Sequence, residues 1–217
     1  MTDNIEVLFH SSIRIHSSAG IIYIDPFKIQ NKYNDADYIF ITHDHYDHYS
    51  VEDIKKVVGE KTVFVVPEKM SKTVSSDFKG HGEIRTVSPG KEYIVDNIEF
   101  ETVAAYNLFK PFHPKMAGWC GYILIIDGKR IYVAGDTDAT KEAKAVKCDI
   151  AMVPIGGTFT MDAKKAAELV NIIRPQVAVP THFGSVAGKP EDAIVFAQNV
   201  DPSVTVENKL NPCKTVL

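Results

Sequence analysis

Cysteine is scarce in this chain: Cys120, Cys148 and Cys213 are its only three, and they stand far apart. They form no Cys-x-x-Cys pair, so a zinc ribbon or a disulfide scaffold is not expected. Free thiols in a reducing compartment are the plain reading, with a catalytic or metal-binding role for one of them as the alternative. A long apolar run is missing too. No segment approaches the roughly 20 residues that span a bilayer, so no membrane span is expected. The start, Met1-Thr2-Asp3-Asn4, lacks the basic and apolar regions of a signal peptide, which points to the cytoplasm. Basic charge is not in excess. The formal net charge of -4 argues against a nucleic-acid partner, although a few local lysines would suffice for a phosphorylated small molecule. No Gly-Lys-Ser/Thr follows Gly156-Gly157, which excludes a phosphate loop and leaves a turn. No linker, low-complexity tract or short repeat divides the 217 residues, so residues 1–217 read as one domain.

What is present is a dense group of ligands. Thr42-His43-Asp44-His45-Tyr46-Asp47-His48 reads as His-x-His-x-Asp-His. The apolar run Tyr38-Ile39-Phe40-Ile41 leads into it, so the ligands emerge from a strand end onto a loop. Three imidazoles and a carboxylate placed there are costly unless something uses them, and a divalent metal is the obvious user.

The surrounding pattern is α/β. Ile5–Phe9, Ile13–His16 and Ile21–Ile24 predict a meander, closed by Asp25-Pro26. Ser50 caps a helix running to about Val58 and stopped by Gly59. A strand at Thr62–Val66 and a helix from near Pro67 to before Lys79 follow. Strands are then predicted at Ile84–Val87, Glu92–Val95, Ile98–Ala104, Gly121–Ile126 and Arg130–Ala134, with Asp127-Gly128 as a hairpin turn. The last third alternates helices (Ala139–Lys147, Asp162–Ile173, Pro190–Asn199) with strands (Ile150–Val153, Val177–Pro180, Val204–Val206). Two packed sheets with helices on the outer faces fit this order.

Two further strands end in ligand-capable residues. Arg130–Ala134 leads into Gly135-Asp136, and Val177–Pro180 into Thr181-His182. His113 lies in the irregular stretch Lys110-Pro111-Phe112-His113-Pro114-Lys115. With these residues in order, the chain resembles the metallo-β-lactamase superfamily. Within it the chain is similar to a prokaryotic branch that includes L-ascorbate-6-phosphate lactonase. Leu8–Ile15, Ile24-Asp25-Pro26-Phe27, Ala134-Gly135-Asp136-Thr137 and Pro154–Met161 look like motifs of that branch, with Phe9 where Gly is usual.

The resemblance implies a four-layer αββα sandwich of two mixed sheets with helices on both outer faces. It implies a first metal on His43, His45 and His113, a second on Asp47, His48 and His182, and Asp136 bridging them. In many relatives the third His ends the preceding strand, where this chain has Ala105-Tyr106-Asn107; His113 reaching in from the loop and Asn107 lining a more open site are the two alternatives. Two divalent ions are expected, zinc first and manganese or iron as alternatives, because imidazole and carboxylate donors do not choose among them. Such ions sit about 3.5–4 Å apart and share a hydroxide that attacks carbon or phosphorus, with Asp47 also orienting the nucleophile.

Supporting residues are expected around this centre. Asp25 reads as a carboxylate that fixes the cluster loop. His10 reads as a structural residue, or as one that supports a metal ligand or faces the substrate. Tyr106, Lys110 and Lys115 read as anion-holding residues or as a solvated basic loop. The expected function is a metal-dependent hydrolase of a small ester, lactone or phosphodiester. A metal-binding sensor or interaction protein without turnover is the alternative. A flavodiiron reductase is disfavoured by His45 and by length, and an RNA-processing nuclease by the lack of room for a substrate-grasping arm. A homo-oligomer stays open.

Overall fold

The computed structural model describes residues 1–210, so Cys213 lies outside them. The chain forms β1 (Ile5–Phe9), β2 (Ser12–Ser17), β3 (Gly20–Ile24), β4 (Ala36–Phe40), α1 (Val51–Val57), β5 (Val58–Pro67), α2 (Ser71–Asp77), β6 (Glu83–Val87), β7 (Glu92–Val95), β8 (Ile98–Ala104), β9 (Cys120–Ile126), β10 (Lys129–Val133), α3 (Lys141–Lys144), β11 (Ile150–Pro154), α4 (Ala163–Ile173), β12 (Val177–Thr181), α5 (Asp192–Asn199) and β13 (Thr205–Val206). No helix among the described residues is long and apolar enough to cross a membrane.

The strands make two mixed sheets, ordered β1-β2-β3-β4-β5-β6 and β13-β12-β11-β10-β9-β8-β7. In the first, β1, β2 and β3 are antiparallel neighbours and β3 to β6 run parallel. In the second, β7 to β10 are antiparallel and β10 to β13 run parallel.

Alternation along the strands builds the layers. Phe40, Val65, Ile22 and Ile24 face the core shared with the second sheet, where Phe40 meets Phe100 and Tyr122 edge to face. Their neighbours Tyr23, Ile39, Ile41, Phe64 and Val66 point the other way, onto Ile54 and Val57 of α1 and Val74 of α2. This period of two puts one helical layer outside the first sheet. The buried stripe Ala166, Leu169, Val170 and Ile173 puts α4 outside the second, with α5 beside it. The observed architecture is the αββα sandwich that the resemblance implied.

Some element ends differ from the sequence reading. Gly59 does not stop α1. Val58 is already extended and pairs with Ala36, so β5 starts four residues early, on a β-branched residue. The helix expected over 139–147 shrinks to α3. Thr140 caps it at one end, and Asp138 is held on the carbonyl of Tyr106. Cys120 is buried and Cys148 half-buried; burial pushes each thiol up to about 12, so both are protonated packing residues at neutral pH.

Because β2 is antiparallel to both neighbours, β1, β3 and β4 run the same way. Their C-terminal ends carry His10, Asp25 and the Thr42–His48 loop to one rim. The co-directed β10 and β12 deliver Asp136 and His182 from the other sheet. Three hydrogen bonds join the sheets at that rim: Cys120 N–H to Thr42 O (3.2 Å), Tyr122 O–H to Ile41 O (2.7 Å) and His182 N–H to His10 O (3.0 Å).

Candidate metal centre

The floor of the rim is built on Asp25. Its carboxylate is buried and accepts from the Thr42 amide (2.8 Å) and the Thr42 hydroxyl (2.6 Å), and lies 2.7 Å from Nδ1 of His48. A carboxylate here holds a proton of His48 on Nδ1 and aims Nε2 at the centre. The loop beyond Thr42 closes as a tight turn, with the amides of His48 and Tyr49 both donating to the His45 carbonyl. Ser50 then caps α1 by accepting from the Asp53 amide, fixing the far side of the loop.

Asp136 lies at the middle. Its carboxylate is 3.2 Å from His48 Nε2, 3.0 Å from His182 Nε2 and 3.4 Å from His113 Nε2. Three groups of donor atoms, each within 4.8 Å, surround it: His43, His45 and His113; His43, His48 and Asp136; and His10, Asp47 and His182. All seven residues expected to hold metal therefore converge, from four separate stretches of chain. His113 reaches the centre from its loop with Asn107 beside it: Asn107 Oδ1 sits 2.9 Å from His113 Nδ1, and the Asn107 side-chain Nδ2 donates to Phe159 O at 2.9 Å. Asn107 thus aims the imidazole that the loop supplies.

The polar accounting calls for an ion. The Nε2 atoms of His43, His48, His113 and His182 and Oδ1 of Asp136 are buried and make no well-aligned hydrogen bond, although three of the rings face the Asp136 carboxylate at 3.0–3.4 Å. An unsatisfied buried polar atom costs about 1–3 kcal/mol, so this concentration around one point fits a site that takes a ligand. The donors divide by charge: burial opposes the charge on His48 and His182, yet Asp136 lifts both, so metal binding would release a proton from each. Burial, reinforced by neighbouring imidazoles, holds His43 well below its usual range and lowers His45, which keeps both neutral. Burial opposes the charge on Asp136, yet His182 and His48 hold its carboxyl well below the usual carboxylate range. Burial also opposes the charge on Asp47, which His10 and His182 likewise hold far down. Two anionic carboxylates among imidazoles suit a divalent cation of the zinc, manganese or iron type.

Several residues were not legible in the sequence. Trp119, the single tryptophan, lays its ring 5.0–5.5 Å from those of His43, His45 and His113 and walls the first group of donors. Ser185 meets Nδ1 of His10 at 3.2 Å. The basic residues are engaged elsewhere. Lys110 donates to Asp138 (2.9 Å), to Gly157 O (3.2 Å) and to Thr160 O, bracing the loop that carries His113. Lys115 pairs with Glu142 at 2.6 Å, over the ring of Tyr106, whose hydroxyl donates to the same carboxylate. The loops beside the centre instead expose apolar side chains: Tyr46, Leu108, Phe109, Phe112 and Met116.

The model of the Beta-lactamase superfamily domain matches residues 4–182. A UPF0173 metal-dependent hydrolase of Pyrococcus abyssi is 31% identical over 208 residues, covering 87% of this chain and 89% of the relative. A solved structure from Parabacteroides distasonis, provisionally named a metal-dependent hydrolase, is 28% identical with a TM-score of 0.79, covering 95% of this chain and 93% of that one. Igni18, a metallo hydrolase from Ignicoccus hospitalis, shares the fold at 23% identity and a TM-score of 0.73, covering 96% of this chain and 94% of that one.

Proposed function

The chain belongs to the metallo-β-lactamase superfamily, and from that membership we propose that it is a metal-dependent hydrolase with a two-ion centre on the rim joining its sheets. The single observation behind this reading is the set of buried Nε2 atoms around Asp136. His43, His45 and His113 hold the first ion, Asp47, His48 and His182 the second, and Asp136 lies between them. Zinc is the expected ion. When bound, the ions supply Lewis acidity and bring the pKa of a coordinated water from about 15.7 to near 7. Asp47 orients the nucleophile, Trp119 shields the first group of donors, and half-buried His45 marks the side open to substrate. Both sheets feed this one centre, which supports reading residues 1–217 as one domain.

The surroundings favour an uncharged ester or lactone over a phosphodiester. The nearest expected anion holders, Lys110 and Lys115, are already paired, while the neighbouring loops expose Phe109 and Met116. The Leu8–Ile15 and Pro154–Met161 motifs support placing the chain beside the L-ascorbate-6-phosphate lactonase branch. We carry over the lactone ring and not the phosphate. The test is turnover of lactone, ester, thioester and phosphodiester panels by zinc- or manganese-loaded protein, with His45→Ala as control. Lactone or ester hydrolysis lost in the control supports the reading. Tight metal binding with no His45-dependent turnover in any panel supports the turnover-free sensor instead.

A further inference from the structure

One buried imidazole outside the proposed ligand set carries every mark of the residues inside it. His10 is fully buried, and its Nε2 makes no well-aligned hydrogen bond, the same condition as Nε2 of His43, His48, His113 and His182. That atom belongs with Asp47 and His182 to a group whose donors all lie within 4.8 Å, at 3.3 Å from Asp47 Oδ2. The other ring nitrogen is anchored: Nδ1 meets the Ser185 hydroxyl oxygen at 3.2 Å. When Nδ1–H donates to that oxygen, the tautomer leaves a lone pair on Nε2 directed at the centre.

The backbone is built for this placement. His10 has φ 53° and His182 φ 56°, left-handed conformations that cost a histidine energy and persist where the surrounding structure enforces them. The His182 amide donates to the His10 carbonyl, and the rings lie 3.8 Å apart. The two residues form a unit across the sheets, and His182 is already a proposed ligand.

We infer that His10 is a ligand, through Nε2, of the ion shared by Asp47 and His182. The inference rests on the two-ion reading above and deepens it. The second ion would take protein donors from Asp47, His48, His182, Asp136 and His10, against His43, His45, His113 and Asp136 for the first. The second ion becomes the tightly held, enclosed one, and the reaction faces the first.

The test is cobalt(II) binding by chelator competition, with the visible spectrum recorded, on wild type, His10→Gly, Ser185→Ala and Asp136→Ala. Glycine suits the left-handed backbone and leaves a hole that free imidazole fits. His10→Gly should hold one ion as wild type does and weaken the other by more than the roughly 10–100-fold expected from losing a group that only orients a ligand. Added imidazole should restore the affinity and the spectrum. Ser185→Ala should stay within about tenfold of wild type. Wild type and Asp136→Ala both failing to bind cobalt would sink the two-ion reading itself. Two ions held at wild-type affinity in folded His10→Gly would sink the His10 assignment alone. If His10→Gly does not fold, proton NMR of cobalt-loaded wild type decides. His10 as ligand adds one shifted imidazole N–H signal to those of His43, His45, His48, His113 and His182, and its absence overturns the assignment.

Discussion

Asp25 Oδ2 lies 2.7 Å from Nδ1 of His48, with both side chains shut away from solvent beneath the candidate metal centre. In the proposed two-ion centre, Asp25 would act on the second ion only through His48, without facing it. Asp25→Asn keeps the size and can still accept from Thr42, but it loses the charge that directs the His48 proton. Metal affinity should drop about 10–100-fold while the metal-free fold is retained. Isothermal titration with zinc checks this. Wild-type affinity would show that the pair only packs the floor.

Removing a donor is a harsher change than turning one. His45→Ala opens a half-buried position on the accessible side, and Asp136→Ala removes the carboxylate between the two groups of imidazoles. Each should lose metal by elemental analysis while circular dichroism stays native. Two ions per chain in both variants would refute the proposed ligand set.

Gly156 is required by what lies beside it. A Cβ there would sit 2.2 Å from the His182 carbonyl oxygen and 3.1 Å from its Nδ1. Gly156→Ala should therefore displace the exit of β12, costing about 1–3 kcal/mol and weakening metal binding together. A melting temperature and zinc affinity both equal to wild type would exclude this contact as a constraint.

Acidity should act in opposite senses on either side of neutrality in the metal-free protein. Burial, helped by nearby imidazoles, lowers His43, His45 and His10, the last to about 4. As pH falls below the ordinary 6.5, the unfolded chain takes up more protons than the folded one, and stability drops. His48 and His182 behave in reverse. Burial opposes their charge, but Asp136, joined by Asp25 for His48 and by Asp47 for His182, lifts both. Their contribution is full below 6.5 and is lost as pH rises through the folded values. The metal-free melting temperature should peak at about pH 6–7. With zinc, which needs neutral imidazoles, it should keep rising toward alkaline pH. A metal-free melting temperature that climbs steadily from about pH 5 to 9 would contradict the lifted pair.

The centre was legible wherever its residues follow strand exits. Four proposed ligands fall within His43–His48, and Asp136 and His182 repeat the same pattern of an apolar run followed by a ligand-capable residue. What stayed hidden depends on contacts across space. Asn107 and His113 compete for one role on paper and share a hydrogen bond in the fold. Lys110 and Lys115 look available until Asp138 and Glu142, about 28 residues on, are seen to hold them. His10 was legible only as a structural, supporting or substrate-facing residue, because neither a left-handed backbone nor the direction of a ring nitrogen can be read from one letter. The layers were readable from alternation, whereas the ends of α1 and α3 were decided by strand pairing and by the Asp138 loop.

The amides of Cys120 and His182 and the hydroxyl of Tyr122 clasp the two sheets through the carbonyls of Thr42, His10 and Ile41, and none of these atoms is a proposed metal donor. Removing metal should leave this clasp intact. Loading should be quick and nearly rigid, chelators should strip the protein without melting it, and deuterium uptake at those two amides should be the same before and after.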